Sequence, residues 1–152
     1  MTYDELLLEA EKNNLIVKEK PLKSHGGRIK GNRIAIKEDM TEIEKACILS
    51  EELGHYYVNA GNVINLSDVR NVKQEYQARL WAYNKQIGLI RIVQAFEDRC
   101  KDIHEMAEYL NVTEDFLSDA LAFYKNKYGV SAKIDNYIIY FEPNLCVMKL
   151  FE

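Results

Sequence analysis

Glu51-Glu52-Leu53-Gly54-His55 is the stretch from which the rest of this chain is best read. Residues four apart on a helix stand one above the other, so Glu51 and His55 can reach one metal ion from successive turns. Glu52, one position round the helix, is then placed to take a proton from a water on that ion. The stretch is one substitution away from H-E-x-x-H, in which both outer positions are His and the Glu is the general base.

The flanking sequence predicts a helix that buries one face. Thr41 and Glu44 have capping-box spacing. Ala46, Leu49, Leu53, Tyr56 and Ala60 recur at 3-4-3-4 spacing, an inward stripe, and Gly61-Asn62 supplies a stop. Upstream, residues 27–30 and 33–37 flank Gly31-Asn32, a two-residue hairpin signal. Residues 15–17 predict a first strand, and Thr2 with Glu5 opens a helix to about Asn13. Downstream of a connector at 61–70, helices are expected near 71–85, 89–98, 102–110 and 113–128. A last hairpin, 137–142 with 146–151, closes around Pro143-Asn144. The fold class is α+β, mostly helical with a small antiparallel sheet. The expected organisation is a domain over 1–98, with a helical pair and β-hairpin over 99–152 packed on it.

A chain of 152 residues suits one domain, or one with a small appendage. Hydrophobic residues make up 47%, with only 7 Gly and 2 Pro, which argues against disorder. The net charge of −4 gives no general attraction to phosphate backbones or anionic membranes, so neither nucleic acid nor a membrane is an expected partner. Cys47, Cys100 and Cys146 are odd in number, far apart and form no C-x-x-C. They read as thiols of a reducing cytoplasm rather than as a disulfide framework or a Cys zinc site. The acidic first residues do not resemble a secretion signal, and no apolar run is long enough to span a bilayer. A soluble cytoplasmic protein is expected, with its oligomeric state open.

A hydrolytic zinc site needs three protein ligands and one open position. Glu75, in Gln74-Glu75-Tyr76-Gln77-Ala78-Arg79-Leu80-Trp81-Ala82, is the expected third ligand beside Glu51 and His55. Ala78 and Ala82 share its helix face, and Gly54 removes a side chain from the opposite helix, so the two helices can approach closely.

These residues resemble the ImmA/IrrE metallo-endopeptidases of phages and mobile elements. The H-E-L-G-H of that family is matched by Glu52-Leu53-Gly54-His55, and its E-x-x-A-x-x-x-A segment by Glu75, Ala78 and Ala82. The preceding hairpin and following helices match in order. The resemblance implies a zincin-like core, bound zinc and limited cleavage of a repressor protein that keeps a mobile element silent. Glu51 departs from the pattern, which has His there. A carboxylate is a competent ligand, but two carboxylates weaken the ion as a Lewis acid and open the site to manganese or iron. The competing expectation is a peptidase-derived binding module, inactive for want of that His, that grips a repressor or other protein.

An extended substrate usually pairs with a sheet edge. Ile34, Ala35 and Ile36, in the strand just before the metal helix, are the expected substrate-binding residues, with that strand an edge beside Glu52 and His55. His25 and His104 read as solvated surface residues, and Tyr56 and Tyr57 as core aromatics rather than oxyanion donors. The helices at 102–110 and 113–128 resemble a helix-turn-helix. The second begins with Glu114, Asp115 and Asp119, which would repel phosphates, so the pair reads as a packing or docking unit.

Overall fold

The computed structural model describes residues 1–59 and 72–150. Contacts divide the chain into two units, Met1–Gln86 and Ile87–Glu152, each with its own three-stranded sheet.

The first unit runs α1 (Tyr3–Lys12), β1 (Ile16–Lys20), β2 (Gly27–Lys30), β3 (Arg33–Lys37), α2 (Glu42–Asn59) and α3 (Val72–Gln86). At the start of α1, Thr2 Oγ1 accepts from the Glu5 N–H at 3.2 Å, and Glu5 Oε2 accepts from the Thr2 N–H at 2.9 Å. Two amide groups that a helix start leaves without helical partners are thus satisfied. Thr41 likewise accepts from the Glu44 N–H at 3.2 Å at the start of α2. The expected stop at Gly61-Asn62, the last stripe position Ala60 and the connector 61–70 lie outside the described residues.

The hairpin forms where Gly31-Asn32 predicts it. Gly31 has φ +61°, the left-handed conformation that glycine adopts without a steric penalty, and Lys30 pairs with Arg33 beside it. Strand order, however, is β1-β3-β2. β3 is central, parallel to β1 and antiparallel to β2. The expected edge strand at Arg33–Lys37 is therefore a correction: its main chain is paired on both sides and offers nothing to a substrate. Ile34 and Ile36 are 2% and 0% exposed, in the core rather than at a cleft. Alternation of buried and exposed residues looks the same in a central strand as in an edge strand. What differs here is the parallel pairing with β1, which has no local sequence signal. One face of the sheet packs into a core with Leu6 and Ala10 of α1 and Ala46, Leu49 and Leu53 of α2.

The second unit runs α4 (Gly88–Glu97), α5 (Ile103–Leu110), α6 (Glu114–Tyr128), β4 (Ser131–Ile134), β5 (Tyr137–Tyr140) and β6 (Cys146–Lys149). Asp102 caps α5 by accepting from the Glu105 N–H at 2.8 Å, and Thr113 caps α6 through the Phe116 N–H at 3.1 Å. Between them Asn111 takes φ 59°, a conformation that Asn tolerates better than most residues. The closing hairpin β5–β6 is antiparallel as expected, and β4 adds a third strand that the short segment Ser-Ala-Lys-Ile did not announce. No described helix is long and apolar enough to cross a membrane.

Candidate active site

The site is built where α2 meets α3. Gly54 of α2 faces the main chain of Ala78 in α3: a Cβ built on Gly54 would stand 3.3 Å from Ala78 Cα, 3.1 Å from its carbonyl carbon and closer still to its oxygen. Ala78 and Ala82 are buried, 1% and 0% exposed. Small residues on both helices thus bring the two backbones together. The neighbour of Gly54 in sequence, His55, is buried, and its Nε2 lies 3.8 Å from Glu75 Oε2. The carboxylate side chain keeps about a third of its surface open to solvent, 36% against 10% for the imidazole.

Glu52 is also buried, 7% exposed. Its cover comes from β2, because a Cβ built on Gly27 would come within 3.2 Å of Glu52 Cγ. Glycine at that point lets the strand pass directly over the carboxylate's helix. Glu51, on the preceding turn from His55, is partly exposed.

Behind the site a polar network ties the three helices together. Asn13 Nδ2 donates to the Tyr57 hydroxyl oxygen at 2.7 Å, and that hydroxyl donates to Glu9 Oε1 at 3.3 Å. Lys85 Nζ of α3 closes on Glu9 Oε2 at 3.1 Å. Burial and then the Glu9 charge push the Tyr57 phenol above its ordinary pKa, so the hydroxyl stays neutral. Tyr57 also packs against Trp81, ring centroids 4.8 Å apart. Its hydroxyl is committed to α1, in keeping with a core aromatic. Sequence reading missed this network because its partners are 44 and 48 residues apart and carry no spacing signal. His25 is exposed in the segment before β2. His104 is exposed as well, with Glu108 and Glu114 each 3.3 Å from one of its ring nitrogens.

Donors on one tetrahedral ion, each about 2.0–2.2 Å from it, stand about 3.3–3.6 Å apart. The His55–Glu75 separation of 3.8 Å is a small side-chain adjustment from that span, and imidazole with carboxylate is a suitable donor pair. Among the described residues no group of three or more His, Cys, Asp and Glu side chains is already spaced to hold an ion. The fit rests on this pair, with Glu51 one helical turn away as the nearest donor by position.

The model of a peptidase family, described as the IrrE N-terminal-like domain, matches residues 8–122. The chain belongs to that family. No curated protein and no solved structure matches the chain. The match to the IrrE N-terminal-like domain takes in α2 and α3 whole. Membership supports a metallopeptidase-like domain, a hydrolase in reaction class, and implies a metal cofactor.

Proposed function

We propose that this IrrE N-terminal-like domain is a metal-dependent endopeptidase, with zinc held by Glu51, His55 and Glu75 and with Glu52 as the general base. The observation that carries this reading is the approach of His55 Nε2 to Glu75 Oε2, 3.8 Å apart, across helices whose contact at Gly54 and Ala78 admits no larger side chain. Zinc bound there would polarise a peptide carbonyl and bring the acidity of a water into the neutral range. The Glu52 carboxylate, sheltered under Gly27, would be the group that takes a proton from the attacking water and passes one to the departing amine. The carboxylate-rich donor set of Glu51 and Glu75 also accepts manganese or iron.

The sheet edge passing over Glu52 is β2, so an extended substrate would pair with β2 rather than β3. The substrate proposed from the family resemblance is a repressor of a phage or mobile element, met in the cytoplasm. A second reading, an inactive module that binds such a protein, is favoured by Glu51 in place of His and by the lack of a ready three-donor group among the described residues.

The test is incubation of the purified protein, loaded with zinc, with a pool of unfolded peptides read out by mass spectrometry. Cleavage that disappears with chelator and in Glu52→Gln supports the peptidase. Stoichiometric zinc without cleavage supports the binding module, and neither zinc nor cleavage removes the metal site.

A further inference from the structure

The outer face of the β1-β3-β2 sheet has no part in the peptidase reading. Alternate side chains of a strand point to opposite faces. Val17, Ile29, Ile34 and Ile36 point into the core with α1 and α2, so the residues between them point away. On β1 these include Lys18 and Lys20, on β3 Arg33 and Lys37, and on β2 Arg28 and Lys30. Register aligns them: Lys20 is opposite Lys37, Arg33 is opposite Lys30, and Ala35 lies between Lys18 and Arg28. The one acidic residue of the three strands, Glu19, is on the other face, where it pairs with Lys45 of α2. Among the described residues, none of the six cations is ion-paired to a carboxylate.

The net charge of −4 conceals this segregation. Seven of the 20 Lys and Arg residues, and one of the 24 Asp and Glu, fall between Asn14 and Lys37. Like charges directly opposite each other destabilise a sheet, and a face that only needs solvation mixes signs. Six cations of one sign are instead a surface that a polyanion would relieve.

We propose that this face binds the sugar-phosphate backbone of double-stranded DNA. Lys18 and Lys20 on β1, and Arg28 and Lys30 on β2, are about 6.6 Å apart along their strands, Arg33 and Lys37 flank Ala35 on β3, and neighbouring strands are about 4.8 Å apart, a spacing suited to closely and regularly placed anions. The three strands carry no aromatic residue here, so bases cannot stack on the face and an unpaired strand gains little from it. Protein interfaces are depleted in Lys and enriched in aromatics, Met and Arg, whereas this face has four Lys and two Arg with no aromatic and no Met. Ile16 is the single large apolar side chain among these outward residues, too little for membrane insertion. A depression of about 230 Å³ lies over Ala35 with Lys18, Arg28, Lys30 and Arg33 around it. The small Ala35 side chain lets a phosphate approach the sheet between Lys18 and Arg28.

The proposal is independent of the peptidase reading, since it uses the opposite face of the sheet and no metal. Its test is fluorescence anisotropy of a labelled DNA duplex of mixed sequence titrated with the whole protein at several salt concentrations. Binding should weaken with salt at a log–log slope of about −0.9 for each phosphate neutralised. Lys18→Glu with Arg28→Glu should lower affinity at least about tenfold and flatten the slope by about 2. Lys133→Glu with Lys149→Glu, the same charge change on the other sheet, should leave both unchanged. If the first variant does not fold, Lys18→Gln with Arg28→Gln should show the same direction. No binding at low salt, an equal loss in the Lys133/Lys149 variant, or stronger binding to phosphatidylserine vesicles or polyglutamate than to DNA would each overturn the proposal.

Discussion

Gly54 of α2 lies against the main chain of Ala78 in α3 with no room between them for a methyl group. Because His55 follows Gly54 and Glu75 precedes Ala78 by one helical turn, this backbone contact sets the distance between the two proposed ligands. Spacing in the site is thus governed by the absence of a side chain rather than by a bond.

Gly54→Ala should accordingly lower stability by about 1–3 kcal/mol, the usual range for a methyl forced into a packed interface, and it should weaken zinc binding by moving α2 from α3. Urea unfolding and a zinc competition titration check the two effects. An unchanged unfolding midpoint would show that the helices are not in contact at this point.

Glu52→Gln is nearly isosteric and removes the base. Zinc content and melting temperature should stay close to those of the unmodified protein, while peptide cleavage falls by 10²-fold or more, roughly the contribution of a general base. A variant that still cleaves at the original rate would assign the proton transfer to another group.

Glu51→His restores the two-His spacing on α2. If position 51 faces the ion, zinc affinity should rise relative to manganese, since imidazole is the softer donor. Competition between the two metals measures this directly. Equal affinities before and after the change would place position 51 outside the ligand set.

Alkaline pH should destabilise the protein through Tyr3. Burial, then the charges of Glu19, Glu42 and Asp4, raises its phenol from 10.0 to about 12. A folded-state pKa above the unfolded one favours the neutral phenol in the fold, so its stabilisation is complete below 10.0 and is lost as pH rises towards 12. The thermal midpoint should fall across that window, and Tyr3→Phe should lessen the fall. Lys45, raised by its hydrogen bond to Glu19, shifts stability in the same direction and should leave a residual slope in the variant.

Local chemistry made much of this structure legible in advance. The Thr2–Glu5 box, the Thr41–Glu44 spacing and the Gly31-Asn32 turn each involve residues within a few positions of one another, and each element begins where they place it. The meeting of Gly54 with the Ala78 helix was also readable, because small residues at helical spacing announce close approach. Pairings between distant segments were not. The parallel alignment of β1 with β3 decides which strand is central, and nothing within either segment encodes it. The same pairing gathers Lys18, Lys20, Arg33 and Lys37 onto one face, a concentration that the overall charge of −4 averages away. β4 escaped notice because four residues with one buried alanine give too short a pattern to distinguish from a turn.

The order β1-β3-β2 also has a bearing on how the first unit assembles. The middle strand is the last of the three in sequence, so β1 has no strand to pair with until β3 is in place. Two-residue turns close on a microsecond scale, whereas joining β1 to β3 requires a longer loop and its larger entropy loss. Neither the hairpin nor β1 buries much apolar surface alone, and a two-stranded ribbon is only marginally stable in water. The three-stranded floor under α2 is complete only when β1 has joined the hairpin's free side. β2, which covers Glu52 through Gly27, and β1 both reach the sheet through β3, so the cover over that carboxylate and the rest of the sheet depend on one central strand.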